Sequence, residues 1–271
     1  MGKRVLVAVI GVPLLLIVLF CTPAWVLPIV ISALSMTAIH EVLWSTGFVK
    51  NPRISGFAIA LAGLIPFWVY RGEKMFPALC VLFAYVILLF GEAMLSHFTV
   101  TMEKMGGSFF LSIMIPYFLS SFIRIREYSN WNFLILLPFL TAYTSDAFAL
   151  FGGMFFGKHK LAPELSPKKT VEGSIGGFVG AVVCTVLYGV ILAYGFDVQV
   201  SYGLLVLYGL LGSALGQFGD LAFSYIKRQY DIKDYGTIFP GHGGVLDRFD
   251  SVIFCAPLME LLIILVPAIG G

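Results

Sequence analysis

Charged and polar residues break this chain only at intervals of about 20 positions, and that spacing constrains the fold more than any other feature. A helix needs about 20 mostly apolar residues to cross the hydrocarbon core of a bilayer. By that measure there are about nine candidate spans: 4–21, 24–43, 54–70, 76–96, 107–123, 132–156, 173–196, 201–226 and 251–269. Only 12% of residues are charged and 59% are hydrophobic, against roughly 25% charged in soluble domains. Closed β-barrels also satisfy the backbone in lipid, but their strands alternate apolar and polar side chains. The sequence shows no such alternation. The expected fold is all-α, a polytopic transmembrane helical bundle with no soluble domain.

Loop charges orient such a bundle. Nine spans place the termini on opposite sides. With the N-terminus cytoplasmic, that side carries thirteen of the 17 Lys and Arg residues, leaving Arg71, Lys74, Arg124 and Arg126 opposite. The expected location is therefore the cell membrane, with the long loops 157–172 and 227–250 both on the cytoplasmic side. The start, Met1-Gly2-Lys3-Arg4 and an apolar run, lacks a small-residue cleavage pattern and reads as a retained first helix. Cys21, Cys80, Cys184 and Cys255 show no CxxC pairing and read as packing residues rather than disulfide or zinc sites.

Against this background residues 224–250, SYIKRQYDIKDYGTIFPGHGGVLDRFD, stand apart. They hold Asp231, Asp234, Asp247 and Asp250 together with Lys227, Arg228, Lys233, Arg248 and His242. Asp146 and Asp220 lie inside apolar spans, where a carboxylate costs on the order of 2.5–3.5 kcal/mol on insertion scales. On a helix, Asp220, Ser224 and Lys227 share one face, as do Asp247 and Asp250 if the last helix starts early. Gathered carboxylates repel unless a cation lies between them, and oxygen ligands suit a hard ion such as Mg²⁺. A binuclear site, with a second cation of unspecified identity, is compatible with Asp146, Asp220, Asp247 and Asp250. The competing reading is helix-end carboxylates hydrogen-bonded in place.

The loop GKHKLAPELSPKKTVEG (157–173) supplies Lys158, Lys160, Lys168 and Lys169, with Ser166, Thr170 and Glu172. Lysines beside a helix N-terminus can seat a phosphate, or can meet anionic lipid headgroups. In Pro240-Gly241-His242-Gly243-Gly244 the glycines permit close backbone approach to an anion, and His242 could donate to a phosphate oxygen. Gly152 to His159 nearly spells a P-loop, but His159 replaces the required Ser or Thr and no strand precedes it. Gly176 with Gly180, and Gly212 with Gly216, have the spacing of close helix packing. The phenylalanine runs read as lipid-facing or core. His40 with Glu41 reads as a helix-end pair, and nothing points to nucleic acid.

Phosphoryl-type transfer needs cations to neutralise charge and align reactants more than it needs covalent help from protein. The inventory suits work on a phosphate at a bilayer surface. Ser224 to Asp250 resembles the signature of the phosphatidate cytidylyltransferases (CDP-diacylglycerol synthases), S-x-K-R-x4-K-D-x-G followed by H-G-G-x-x-D-R-x-D. Here Ser224, Lys227, Arg228, Lys233, Asp234, Gly236, His242, Gly243, Gly244, Asp247, Arg248 and Asp250 fill it, with two residues rather than one between Ser224 and Lys227. Asp146 to Gly177 is similar to a second shared block.

The resemblance implies transfer from CTP to phosphatidate, dependent on Mg²⁺, in a C-terminal catalytic region 131–271 behind N-terminal spans 1–130. Asp220 and Asp247, assisted by Asp146 and Asp250, are then expected at the metal, and Lys227, Arg228, Lys233 and Arg248 at the leaving pyrophosphate. Lys168 and Lys169 are expected on lipid phosphate or nucleotide. Thr170, Glu172, Ser224, His242, Gly243 and Gly244 complete the substrate-binding set, and a homodimer is a further expectation. The rivals are a cytidylyltransferase for an isoprenoid ether lipid and a cation or phosphate transporter. A CDP-alcohol phosphotransferase is disfavoured, because no D-G-x-x-A-R segment occurs.

Overall fold

Long apolar runs satisfy their own backbone groups in lipid only as helices, and helices dominate the computed structural model, which describes residues 9, 11–97, 99–238 and 243–270. Among the described residues seven are long and apolar enough to cross a membrane, which makes the chain a multi-pass, all-α membrane protein. In order, α1 (Gly11–Cys21) is a shorter apolar helix within the first expected span. It is followed by α2 (Val26–His40), α3 (Pro52–Tyr70), α4 (Met75–Leu95), α5 (Met102–Leu119), α6 (Ser121–Ile125), α7 (Trp131–Leu134) and α8 (Leu137–Phe156). A hairpin, β1 (Lys160–Ala162) and β2 (Ser166–Thr170), precedes α9 (Val171–Phe196), α10 (Tyr202–Gln229) and α11 (Leu246–Leu265). The ninth expected span is α11, but Asp247, Arg248, Asp250 and Glu260 make it too charged to count with the seven.

Local signals set several of these boundaries. Asn51 caps α3 by accepting from Arg53 N and Ile54 N, and Pro52 opens the helix where its missing N–H costs nothing. Thr170 caps α9 through Gly173 N at 3.1 Å. At its C-terminal end α2 widens into a π-helical turn over Glu41–Ser45.

The hairpin was not expected from the sequence. Lys160 pairs with Thr170 and Ala162 with Ser166. The segment has no β-branched or aromatic alternation to announce strands, and what holds it is the neighbouring Glu172 carboxylate described below.

The chain divides into two compact units. One comprises the helices up to Arg124 together with Gln229–Arg248, and the other Ile125–Arg228 with the segment from Phe249 onward. The loop 229–248 thus groups with the N-terminal helices, where the tilted rings of Phe48 and Tyr230 meet with centroids 5.5 Å apart. In the second unit glycines bring α8 and α9 together. A Cβ at Gly176 would lie 3.0 Å from the Phe148 carbonyl oxygen and 3.4 Å from Gly152 Cα. A Cβ at Gly212 would fall 2.8 Å from Thr141 Cβ, which sets α10 close to α8. Overfilling such a contact costs about 1–3 kcal/mol. Gly176→Val should therefore lower the melting temperature of the detergent-solubilised protein, and an unchanged melting temperature would contradict this packing.

Candidate active site

On α10 the polar residues fall on one stripe of an otherwise apolar helix. Ser213, Gln217, Asp220, Ser224 and Lys227 recur at intervals of three and four, which is the spacing of one helical face. Ser224 donates to Asp220 Oδ1 at 3.3 Å, which gives the serine a local role. Two turns earlier, Gln217 Nε2 donates to Ser213 Oγ at 3.0 Å and to the Ser174 carbonyl at 3.3 Å. Ser174 Oγ donates to Gln217 Oε1 at 2.5 Å, and Ser145 and Ser213 share a 2.7 Å hydrogen bond. This network ties α8, α9 and α10 beneath the carboxylates.

The basic hairpin meets that stripe. Lys169 forms an ion pair with Asp220, and Arg228 Nε donates to the Leu165 carbonyl at 3.1 Å. Glu172, in the first turn of α9, accepts from Lys158 N at 3.1 Å and His159 N at 3.2 Å, and contacts His159 Nδ1 at 2.6 Å. Glu172 therefore clasps the base of the hairpin.

Between these parts lies a cavity of about 370 Å³. Its lining combines polar Asp146, Asp220, Lys168, Lys169, Thr170 and Gln217 with apolar Ala149, Leu150, Met154 and Leu161. The N-terminus of α9 contributes Gly173 and Ser174. A lysine pair, a helix N-terminus and an apolar flank in one cavity can hold an anionic head group on an apolar tail.

Asp146 and Asp250 approach from the other helices. Ser251 Oγ donates to Asp146 Oδ2 at 3.0 Å, and Asp250 Oδ1 accepts from Ser251 N at 2.8 Å. The negative charges of Asp220 and Asp146 both bear on Asp250, against the positive charge of Lys227. Among the described residues, no three His, Cys, Asp or Glu side chains already gather as metal ligands. Mg²⁺ does not require such a cage, since it retains waters and binds through one or two carboxylates and substrate phosphates. The mutually repelling oxygen donors of Asp146, Asp220 and Asp250 fit it chemically.

The other expected site residues belong to the first unit. Asp247 Oδ2 accepts from Tyr235 N at 2.7 Å and from Gly244 N at 2.9 Å, so this carboxylate holds the backbone at Tyr235 and Gly244. Gly243 takes φ +85°, a conformation that favours glycine. Lys233 and Arg248 lie in the same unit. His242 lies outside the described residues. The sequence reading took Glu41 with His40 as a helix-end pair, but its carboxylate is buried and accepts from Val245 N and Leu246 N, contacts that carry no local spacing signal. The sequence reading passed over Gln217, Ser213 and Ser145. For Gln217 and Ser213 the signal was present, as an extension of the Asp220 face by two turns.

Over residues 2–266 the sequence matches the cytidylyltransferase family. The chain belongs to that family. It is 34% identical to the phosphatidate cytidylyltransferase of Bacillus subtilis (strain 168) over 272 residues, 98% of each chain. Over 130 residues it is 42% identical to the enzyme of the same name from Staphylococcus haemolyticus (strain JCSC1435), 48% of each chain. For that of Staphylococcus saprophyticus the identity is 43% over the same length and share.

The Glu172 clasp has a direct check. Glu172→Ala removes the acceptor of two backbone N–H groups, and a hydrogen bond to a charged group contributes about 1.5–3 kcal/mol. Trypsin should then cut at Lys158 and Lys160 roughly 10-fold faster. Equal cleavage of mutant and parent would show that the hairpin is held by other contacts.

Proposed function

We propose that the protein transfers a cytidylyl group from CTP to phosphatidate, giving CDP-diacylglycerol and pyrophosphate at the membrane surface. The observation that carries this reading is the mixed lining of one cavity, where Lys168, Lys169 and Asp220 occur together with Leu150, Met154 and Leu161. It suits a substrate that is phosphate at one end and acyl chain at the other. The 98% coverage by a relative named for that activity supports the same reading.

The chain's residues then divide the work. Lys168, Lys169 and the N-terminus of α9 hold phosphate oxygens as cation and N–H donors. The apolar lining residues accommodate the lipid beside its head group. Phosphatidate is anionic near neutral pH, so no side chain need abstract a proton. One of its phosphate oxygens attacks the α-phosphorus of CTP in line, a new P–O bond forms, and the bond to the β-phosphate bridging oxygen breaks. Pyrophosphate leaves with that electron pair, and Lys227 and Arg228 balance its charge. Asp146, Asp220 and Asp250 would hold Mg²⁺, which when bound neutralises the triphosphate. The asymmetry of Lys and Arg supports a cell-membrane location with the N-terminus and the loops 157–172 and 227–250 on the cytoplasmic side.

The test follows label from α-³²P-CTP into the lipid phase. Lipid-borne label is expected only when phosphatidate and Mg²⁺ are both supplied. Asp220→Asn, which keeps the shape and removes the charge, should cut it by at least about 100-fold. Label formed without phosphatidate, or parent-like turnover in Asp220→Asn, would overturn the proposal.

A further inference from the structure

Glu41 closes an apolar helix, yet its side chain is turned inward and is only 2% exposed. Unpaired, a buried carboxylate is costly. Here Oε1 accepts from Val245 N at 2.9 Å and Oε2 from Leu246 N at 2.8 Å, so one side chain grips the start of α11 with both oxygens. A helix N-terminus favours such a negative partner. The surrounding backbone is shaped to the carboxylate. A Cβ at Gly236 would lie 2.5 Å from Glu41 Oε1, and a Cβ at Gly244 would meet both of its oxygens. From the other side Asp247 Oδ2 holds Tyr235 N and Gly244 N. The π-helical turn over Glu41–Ser45 begins at Glu41 itself, and such widened turns often mark functional positions.

We infer that Glu41 is a positioning residue for the reaction, fixing the backbone at the start of α11, the helix that carries Asp250. The inference rests on the cytidylyl-transfer reading. Within the loop, Glu41 and Asp247 act as opposed clamps: one anchors it to α2 and the other anchors it to itself. Gly236 and Gly244 are glycines because their missing side chains leave room for the Glu41 carboxylate.

Glu41→Gln keeps the size but places an amide donor against a backbone donor. Reconstituted with CTP, phosphatidate and Mg²⁺, it should lose about 10- to 100-fold in kcat, with the protein still folded and inserted at the assay temperature. Gly236→Ala should reproduce that loss by pressing on Oε1, and it carries the test if Glu41→Gln fails to accumulate. In Glu41→Ala/Gly236→Ala the steric conflict is gone, so the double variant should be no slower than Glu41→Ala alone. Parent-like kcat in both single variants overturns the inference, as do fully additive losses or a fall in melting temperature that accounts for the lost activity. Trypsin cleavage at Lys233 gives a readout independent of activity. It should accelerate in Glu41→Gln, and unchanged cleavage there sinks the inference even if the protein proves to have a different substrate. Absence of cytidylyl transfer in the parent, with accelerated cleavage in Glu41→Gln, would instead overturn the functional reading and leave the grip intact.

Discussion

A carboxylate in an apolar helix persists only where a cation or N–H and O–H donors meet it, and this requirement organises the polar structure of the protein. Asp220 is met by Lys169 and Ser224. Asp146 is met by Ser251, Glu172 by the backbone of Lys158 and His159, and Glu41 and Asp247 by backbone N–H groups. The matches of Asp220 with Lys169, Asp146 with Ser251 and Glu41 with Val245 join segments distant in sequence. The energetic demand of burying charge thus becomes the device that ties loops to helices. An apolar side chain at any of these positions would remove the demand and the tie together.

The positions of the helices were legible because bilayer thickness and backbone satisfaction leave few options for apolar runs of this length. Every expected span overlaps a helix. What periodicity missed came from tertiary context. The hairpin over Lys160–Thr170 has neither the β-branched residues nor the alternation of a strand, and it is set by the Glu172 clasp and the cap of α9. The grouping of 229–248 with the N-terminal helices was also invisible, since the segment is contiguous in sequence with α10 and α11. Glu41 makes that connection across some 200 positions, and a contact of that separation leaves no trace in local pattern.

The site was legible to the extent that its chemistry is periodic or concentrated. Asp220, Ser224 and Lys227 follow helical spacing and do occupy one face, and the lysine loop does reach the Asp220 cavity through Lys168 and Lys169. Glu172 and Thr170 were expected near substrate. In the structure Thr170 lines the cavity while capping α9, and Glu172 holds the base of the hairpin. Asp247 was expected as a ligand, and its Oδ2 is engaged with two backbone N–H groups. Residue type marks a carboxylate as available for chemistry, but only geometry shows what the chain already asks of it.

That distinction bears on how glycine is used. At Gly176 and Gly212 the missing side chain lets two helices touch. At Gly236 and Gly244 it admits a carboxylate, and at Gly243 it permits a positive φ. The first use lowers the separation of helices and so shapes the cavity between α8, α9 and α10. The second and third let backbone N–H groups, which carry no formal charge and need no counter-ion, do the holding in the turn before α11. A membrane protein that must handle several phosphates near its surface gains from this arrangement, because its lysines and arginines are then not all consumed in holding its own carboxylates. Neutral backbone donors satisfy Glu41 and Asp247, whereas at the cavity it is a cation, Lys169, that meets Asp220, with Lys168 lining the same space.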